Sequence, residues 1–271
     1  TFSTDILKNP EIFQINTCKP HSSHIHYRSA AECKEQQSSF FLSLNGDWKF
    51  FYSENLNALP EHFEQVGYDD SNWDTIPVPG HLQTNGYGQM QYVNTMYPWD
   101  GVENCKPGEI PERFNATGSY IRMVTIPEAF RKDAEIRLVF HGAETAMALW
   151  VNGTFVGYHE DSFTPAEFAI TDYLNDGENK IAVQGFEETS YPDSFFDCVI
   201  GNVPFGSYQV SDRRYDRHHF MIHDYFIAKS LDLVRPGGVV AVVTSSGTMD
   251  KQNLEVRQYF ANRADLLGAI R

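Results

Sequence analysis

Residues 202–205 read Asn-Val-Pro-Phe and close an apolar run, Phe195-Phe-Asp-Cys-Val-Ile-Gly. An amide, a proline-stiffened backbone and an aromatic ring in sequence can hydrogen-bond to a planar ring and stack on it. Three imidazoles, His21, His24 and His26, could ligate a metal. No cysteine or paired carboxylate accompanies them, so they read as a solvated arm. His218, His219 and His223 with Asp224 raise the same question, and a helix start with its polar face accounts for them. Glu160-Asp161 and Asp69-Asp70 are adjacent carboxylates in turns, better read as solvated surface than as an acid–base pair. No GxxxxGK phosphate loop and no Gly-x-Ser-x-Gly elbow is present.

These groups must be positioned by two different kinds of scaffold. From Phe40 onward the chain reads as short strands. Phe41 to Phe51 ends one strand, turns at Asn45-Gly46 and starts another. Asp69 to Asp74 is a polar turn carrying Trp73, and Ile76-Pro-Val-Pro-Gly opens a long irregular segment, Gly80 to Thr117. A loop of that length is usually functional or tied down by neighbours. Ser119–Ile126 and Glu135–His141 alternate, with Ile136, Leu138 and Phe140 on one face. Asn152-Gly153 between two strand-like runs signals a type I′ hairpin. Phe168–Thr171 and Lys180–Gln184 complete a set that predicts a β-sandwich of the jelly-roll kind.

After Gln184 the pattern changes. Phe195–Gly201 and Val239–Thr244 read as strands buried on both faces. His219–Val234 is apolar at helical spacing and stops at Arg235-Pro-Gly-Gly. Leu254–Ala264 reads as a second helix and Leu266–Ile270 as the start of a further strand. Strand, helix, strand, helix, strand predicts a parallel α/β arrangement.

Bulk properties bound the rest. The 271 residues allow one large domain or two ordinary ones, and 41% hydrophobic residues suffice for a real core. Net charge is −15, with 12 basic against 25 acidic residues through Gln184 and 9 against 11 thereafter. Neither part is basic enough to hold a nucleic acid duplex by charge alone. Cys18, Cys33, Cys105 and Cys198 form no CxxC pair, and Cys198 is expected to be buried in its strand. No apolar run suggests a membrane span. Thr1-Phe-Ser-Thr-Asp is not a signal peptide, so a cytoplasmic setting is expected, although a leader removed before Thr1 stays open.

Two resemblances follow. Leu44-Asn-Gly-Asp-Trp-Lys-Phe, Asn72-Trp-Asp-Thr-Ile-Pro-Val-Pro-Gly-His-Leu-Gln, Tyr92-Val-Asn-Thr-Met-Tyr-Pro, Ala146-Met-Ala-Leu-Trp-Val-Asn-Gly-Thr-Phe-Val-Gly-Tyr and Ser162-Phe-Thr-Pro-Ala-Glu-Phe stand in order between about Phe40 and Gln184. This stretch resembles the N-terminal sugar-binding domain of glycoside hydrolase family 2, of the β-galactosidase type. The resemblance implies a jelly roll that packs beside a catalytic barrel and lends it a loop asparagine, here Asn94, to contact galactose. An amide suits sugar hydroxyls, although Asn94 also suits a turn. Tyr92, Tyr97 and Trp99 either offer ring faces to a pyranose or pack the loop. The family's chemistry needs two carboxylates on that barrel, about 5 Å apart in retaining enzymes. The barrel is expected to be absent here.

The second resemblance covers about Gly185 to Arg271. Asp193-Ser-Phe-Phe-Asp-Cys-Val-Ile-Gly-Asn-Val-Pro-Phe-Gly, His223-Asp-Tyr-Phe and Val234-Arg-Pro-Gly-Gly-Val-Val-Ala-Val-Val-Thr-Ser resemble N6-adenine DNA methyltransferases of the large helicase–methylase type. The resemblance implies that Asn202 and a carbonyl of the Val203-Pro204 backbone accept the hydrogens of an extruded adenine amine, while Phe205 stacks on the ring. Val203 stands where most relatives have proline. The glycine-rich turn that binds S-adenosylmethionine belongs upstream, where this chain has strands of the sandwich. The piece is therefore expected to be inactive.

The sequence thus predicts a multidomain β plus α/β chain. It comprises an irregular arm (1–39), a jelly-roll β-sandwich (40–184) and a truncated Rossmann-like parallel α/β fragment (185–271). The first functional expectation is a carbohydrate-binding module of β-galactosidase origin, joined to a methyltransferase piece by recombination or faulty sequence assembly. The second is an inactive DNA adenine methyltransferase or helicase-related remnant, and the third, disfavoured, is an active glycosidase. Whether the chain is an enzyme stays open. Expected partners are a galactoside or related sugar, weakly bound, and DNA for the C-terminal part only, with no membrane. No cofactor is expected in this fragment. Relatives of the second part use S-adenosylmethionine, and the β-galactosidase resemblance implies magnesium or sodium.

Overall fold

The computed structural model describes residues 2–22, 24–89, 99, 101–106, 109–131, 135–186, 194, 196–203, 214–244, 248, 250 and 254–270. The chain divides into two compact units. One comprises Thr1–Met90 and Ile110–Thr189, the other Gln91–Glu109 and Ser190–Arg271.

The first unit is mostly antiparallel sheet. Its strands are β1 (Gln14–Ile15), β2 (Gly46–Ser53), β3 (Asp74–Val78), β4 (Thr117–Thr125), β5 (Arg137–Phe140), β6 (Ala146–Val151), β7 (Thr154–Glu160), β8 (Ala166–Ala169) and β9 (Glu178–Phe186). Seven of them form a sheet in the order β1-β7-β6-β9-β4-β2-β3, and β5 and β8 form a separate antiparallel pair. This arrangement is consistent with the expected jelly-roll sandwich.

Period-two alternation explains how one strand serves two cores. In β6, Met147, Leu149 and Val151 face a cluster with Leu138 of β5, Phe168 of β8, and Ile181 and Val183 of β9. Ala146, Ala148 and Trp150 face the opposite cluster, with Leu7, Phe63, Trp73, Tyr158 and Phe186. All six residues of β6 are buried. Each large one contributes roughly 1.5–3 kcal/mol by leaving water.

The Asn152-Gly153 turn forms as its sequence predicts, with positive φ at both residues (50° and 81°). The Asn152 amide also donates to the Tyr173 carbonyl and to Asn179 Oδ1, both at 2.8 Å. The buried alternation expected at Ile136 and Leu138 is present (8% and 9% exposed).

Two expectations fail in this unit. Phe41–Asn45 forms no strand, and Phe41 is 67% exposed. A strand needs a neighbour, and the register of both β3 and β4 against β2 begins only at or after Gly46. The first 39 residues are also less irregular than their composition implies. Leu7 lies in a 3₁₀ turn and is 5% exposed, Phe2 stacks on Phe186 at 5.8 Å, and β1 pairs with β7. Helix α1 (Ala30–Glu35) forms on its Ser29 cap but buries no residue.

In the second unit, β10 (Phe196–Asn202) is followed by α3 (Ile222–Leu233) and by β11 (Val234–Val243), which runs parallel to β10. (The short helix α2 is Glu128–Arg131 of the first unit.) Helix α4 (Leu254–Ala261) comes next. Tyr215, Phe220, Tyr225, Ala228, Val256 and Tyr259 form the apolar cluster between them.

Here the expectations need correcting. The two strands are not buried on both faces: Ile200 is 79% exposed, Val239 45% and Val243 65%. Cys198, expected to be buried, is exposed. A parallel strand is buried on both sides only where layers cover both faces. Among the described residues this sheet has two strands. Leu266–Ile270 forms no strand, with Leu267 84% and Ile270 103% exposed. The helix ends at Leu233, two residues short of Arg235, which Pro236 bars from helical geometry. The register then slips, so that Phe196 pairs with Val234 but Cys198 with Val239.

Candidate functional site

The long irregular segment leaves β3 under firm control. Ile76 and Leu82 pack with Phe50 beneath it. The Asn85 amide donates to the His81 carbonyl (2.8 Å), and the Tyr87 hydroxyl donates to Asp74 Oδ2 (2.8 Å). Burial first, then this carboxylate, pushes the Tyr87 hydroxyl above the usual phenol range. Gly88 has a φ of +66°, and an added Cβ would meet the Tyr52 hydroxyl at 3.1 Å.

Tyr92, Asn94 and Tyr97, expected either to face a sugar or to build the loop itself, lie outside the described residues. Trp99 is described and is 3% exposed. Its carbonyl accepts from the Val102 and Glu103 N–H groups, both at 2.9 Å. The indole is therefore an interior ring at the base of a tight turn.

The adjacent carboxylates have structural partners. Glu160 is 6% exposed and accepts from the Tyr158 hydroxyl at 2.6 Å. Asp161 accepts from Phe163 N–H and the Thr164 hydroxyl. Asp69 caps its own turn through Ser71 N–H. Glu160 is thus not the solvated surface group that its sequence suggested, because β7 carries it inward beside the Tyr158 hydroxyl. Among the described residues no group of three His, Cys, Asp or Glu side chains could hold a metal ion.

In the second unit, Asn202 is the last residue of β10, exposed and opposite Val243. Val203 is 4% exposed, and its N–H donates to the Val243 carbonyl (3.0 Å). This bond fixes the backbone at the carboxyl end of the strand, the end where open α/β sheets hold ligands. Pro204 and Phe205 lie outside the described residues. The element before β10 is β9, a strand of the seven-stranded sheet, so no strand–glycine–helix unit precedes Asn202 among the described residues. These residues do not fit an S-adenosylmethionine cradle.

Sequence reading missed a polar cluster built on Asp232. Asp232, near the end of α3, accepts from Tyr215 Oη (2.8 Å), Tyr259 Oη (2.9 Å) and Arg263 Nε (2.9 Å), and pairs with Arg214 Nη2 (3.1 Å). Burial alone would raise this carboxyl. The hydrogen bonds and the Arg214 charge outweigh burial and hold it below the ordinary carboxylate range. Burial and then Asp232 push both phenols up, Tyr259 to about 12. The cluster joins α3 to α4 and to the segment before α3. Its members are scattered along the sequence, and no local motif announces it.

Comparison with known proteins finds two family models and a set of β-galactosidases. Residues 41–196 match the model of the glycosyl hydrolases family 2 sugar-binding domain, and residues 144–270 match that of the Eco57I restriction-modification methylase. The two matches overlap over 144–196. A β-galactosidase of Halalkalibacterium halodurans is 47% identical over 185 residues, which cover 68% of this chain and 18% of that protein. A β-galactosidase of Priestia megaterium is 36% identical over 280 residues, covering 96% of this chain and 26% of that protein. A solved β-glucuronidase of Bifidobacterium dentium aligns with a TM-score of 0.38 at 22% identity, covering 53% of this chain and 19% of that one. The chain thus spans only about a fifth to a quarter of the length of these curated relatives. No described helix is long and apolar enough to cross a membrane. With more than half of its residues matched by one family model, the chain belongs to the sugar-binding domain family of glycosyl hydrolases family 2.

Proposed function

We propose that residues 40–184 are a galactoside-binding module of β-galactosidase type, which lends Asn94 to a sugar site completed by a catalytic barrel. The observation that carries this reading is the match of residues 41–196 to the sugar-binding domain family, together with 47% identity to a β-galactosidase over 185 residues. The firmly held exit from β3 supports it, because a loop that presents an amide to a sugar needs a fixed base. Alone, the module binds sugar weakly, since one amide supplies few of the contacts a pyranose needs. The free thiols of Cys18, Cys33 and Cys198 suit a reducing compartment, and we place the protein in the cytoplasm.

Titration calorimetry with galactose and lactose tests this. Weak heats that vanish in Asn94→Ala are expected, and identical heats for both proteins would remove Asn94 from the site.

A second reading concerns residues 185–271, which we infer to be an incomplete Rossmann-like piece of an adenine methyltransferase. The methylase match and the parallel β10–α3–β11 unit with Asn202 at its carboxyl end favour it. Without a donor cradle it transfers no methyl group. Incorporation of tritiated methyl into DNA would refute that statement. The abrupt change of pattern near Gln184 favours a joint made by recombination or by sequence assembly, and the genomic DNA read across codons 180–190 decides it.

A further inference from the structure

The amino-terminal arm is fastened to β8 at Glu167. Just past β1, the Cys18 N–H donates to the Glu167 carbonyl oxygen (2.8 Å). Farther along, His21 Nε2 lies 3.1 Å from both carboxylate oxygens of the same Glu167. His21 Nδ1 lies 2.9 Å from the Ser22 carbonyl oxygen. An ionised carboxylate and a carbonyl can only accept. A neutral imidazole has one N–H and satisfies one of these contacts, whereas an imidazolium satisfies both. We propose that residues 18–22 form a pH-operated latch, closed by the His21 imidazolium on Glu167 and opened when His21 loses its proton.

The surrounding groups set the sign and the reversibility. Glu167 on β8 supplies the attracting charge. Arg137 on β5 opposes a charge on His21, with its Nη1 3.3 Å from Glu167 Oε2. Arg137 is shared with Glu135, whose Oε1 lies 2.5 Å from its Nε. On the arm, the His24 ring is 4.9 Å from that of His21 and the His26 ring 4.6 Å from that of His24. His24 Nδ1 also reaches the Ser22 carbonyl, at 2.8 Å. Cys18 and Lys19 are the remaining titratable groups of this stretch.

The Ser22 carbonyl first, and Glu167 next, raise the His21 imidazole above its ordinary 6.5, against smaller opposing effects of burial and Arg137. A raised value means that the latch is fully closed below 6.5 and is lost as pH climbs through the raised value. Opening strands no charge, because Arg137 stays on Glu167.

A nitrogen-edited histidine titration of the whole chain, with Cys18 amide exchange followed in parallel and corrected for base catalysis, tests the proposal. His21 is expected to titrate above 6.5, with both ring nitrogens protonated below its midpoint. Cys18 protection is expected to fall through the same midpoint. Each unit by which the midpoint exceeds the ordinary value loosens the latch about tenfold. His21→Gln keeps a donor toward Glu167 without a titrating charge and should make Cys18 protection independent of pH. Glu167→Gln should lower the His21 midpoint while leaving the backbone bond at Cys18. A midpoint at or below 6.5, or Cys18 protection that is constant across the range in the native sequence, overturns the latch.

Discussion

Replacing Lys180 by methionine probes how the sandwich holds its outer loop. Lys180 on β9 is 5% exposed, and its ammonium donates to the Phe63 and Gln65 carbonyls, each at 2.7 Å. The Tyr68 ring lies 5.4 Å from the same nitrogen. Phe63 in turn packs on Trp73 (5.8 Å) and Trp150 (5.7 Å), so the lysine fixes a segment that closes one core. Methionine has a similar length and no donor. Two charge-assisted bonds are worth roughly 1.5–3 kcal/mol each. Water replaces the one at Gln65, an exposed residue. The carbonyl of buried Phe63 has less access to water. Against these losses, methionine ends the desolvation of a buried ammonium, which pulls the Lys180 pKa below its ordinary value despite Asp70 and Glu64. A depressed lysine contributes stability only above its unfolded value, so at neutral pH the native chain already bears that cost.

The expected net loss is about 2–3 kcal/mol for the first unit, or about 5–10 °C in Tm. Urea unfolding followed by tryptophan fluorescence at neutral pH measures it, since three tryptophans, Trp48, Trp73 and Trp150, lie in this unit's cores. A change below about 0.5 kcal/mol would refute the reasoning, because such a value is ordinary for an exposed substitution.

Two other expectations follow from titrating groups. Burial, partly countered by Asp161, lowers the imidazole of half-buried His159 below 6.5. Its neutral form therefore contributes stability that is present above 6.5 and lost as pH falls through the lowered value. His159→Asn should flatten the acid limb of urea-measured stability, and an unchanged slope would exclude His159 as its cause. In Asp232→Asn, the Tyr259 phenol should titrate well below the value of about 12 that it has beside the carboxylate. Absorbance at alkaline pH reads this directly, and an unmoved phenol would show that burial alone sets it.

Local signals in the sequence carried much of the sandwich. The Asn152-Gly153 turn, the alternation at Ile136 and Leu138 and the all-apolar β6 need only their neighbours in sequence to be understood, and each stands as expected. The failures share a cause. Phe41–Asn45, Leu266–Ile270 and the faces of β10 and β11 have the composition of buried strands, but burial depends on whether partner strands and covering layers exist. Composition reports what a segment could pair with, and only topology reports whether the partner is there. The Asp232 cluster was illegible for a related reason: Arg214, Tyr215, Tyr259 and Arg263 meet only after two helices have packed. At the candidate sugar site, no local motif announces the Tyr87–Asp74 bond that anchors the chain before Gly88, whereas the interior position of Trp99 is one of the two readings its sequence allowed.

Strand β9 runs past the point where the two grammars meet. Gly185 still pairs with Gly118 and Met147, and Phe186 with Thr117 and Ala146. Phe186 is wholly enclosed, and its carbonyl takes both the amide (2.7 Å) and the hydroxyl (3.0 Å) of Thr145. Anyone excising the module for separate study must therefore cut downstream of this phenylalanine. A protein shortened at Gln184 would lose the plug at one end of its interior and leave Thr145 facing a hole.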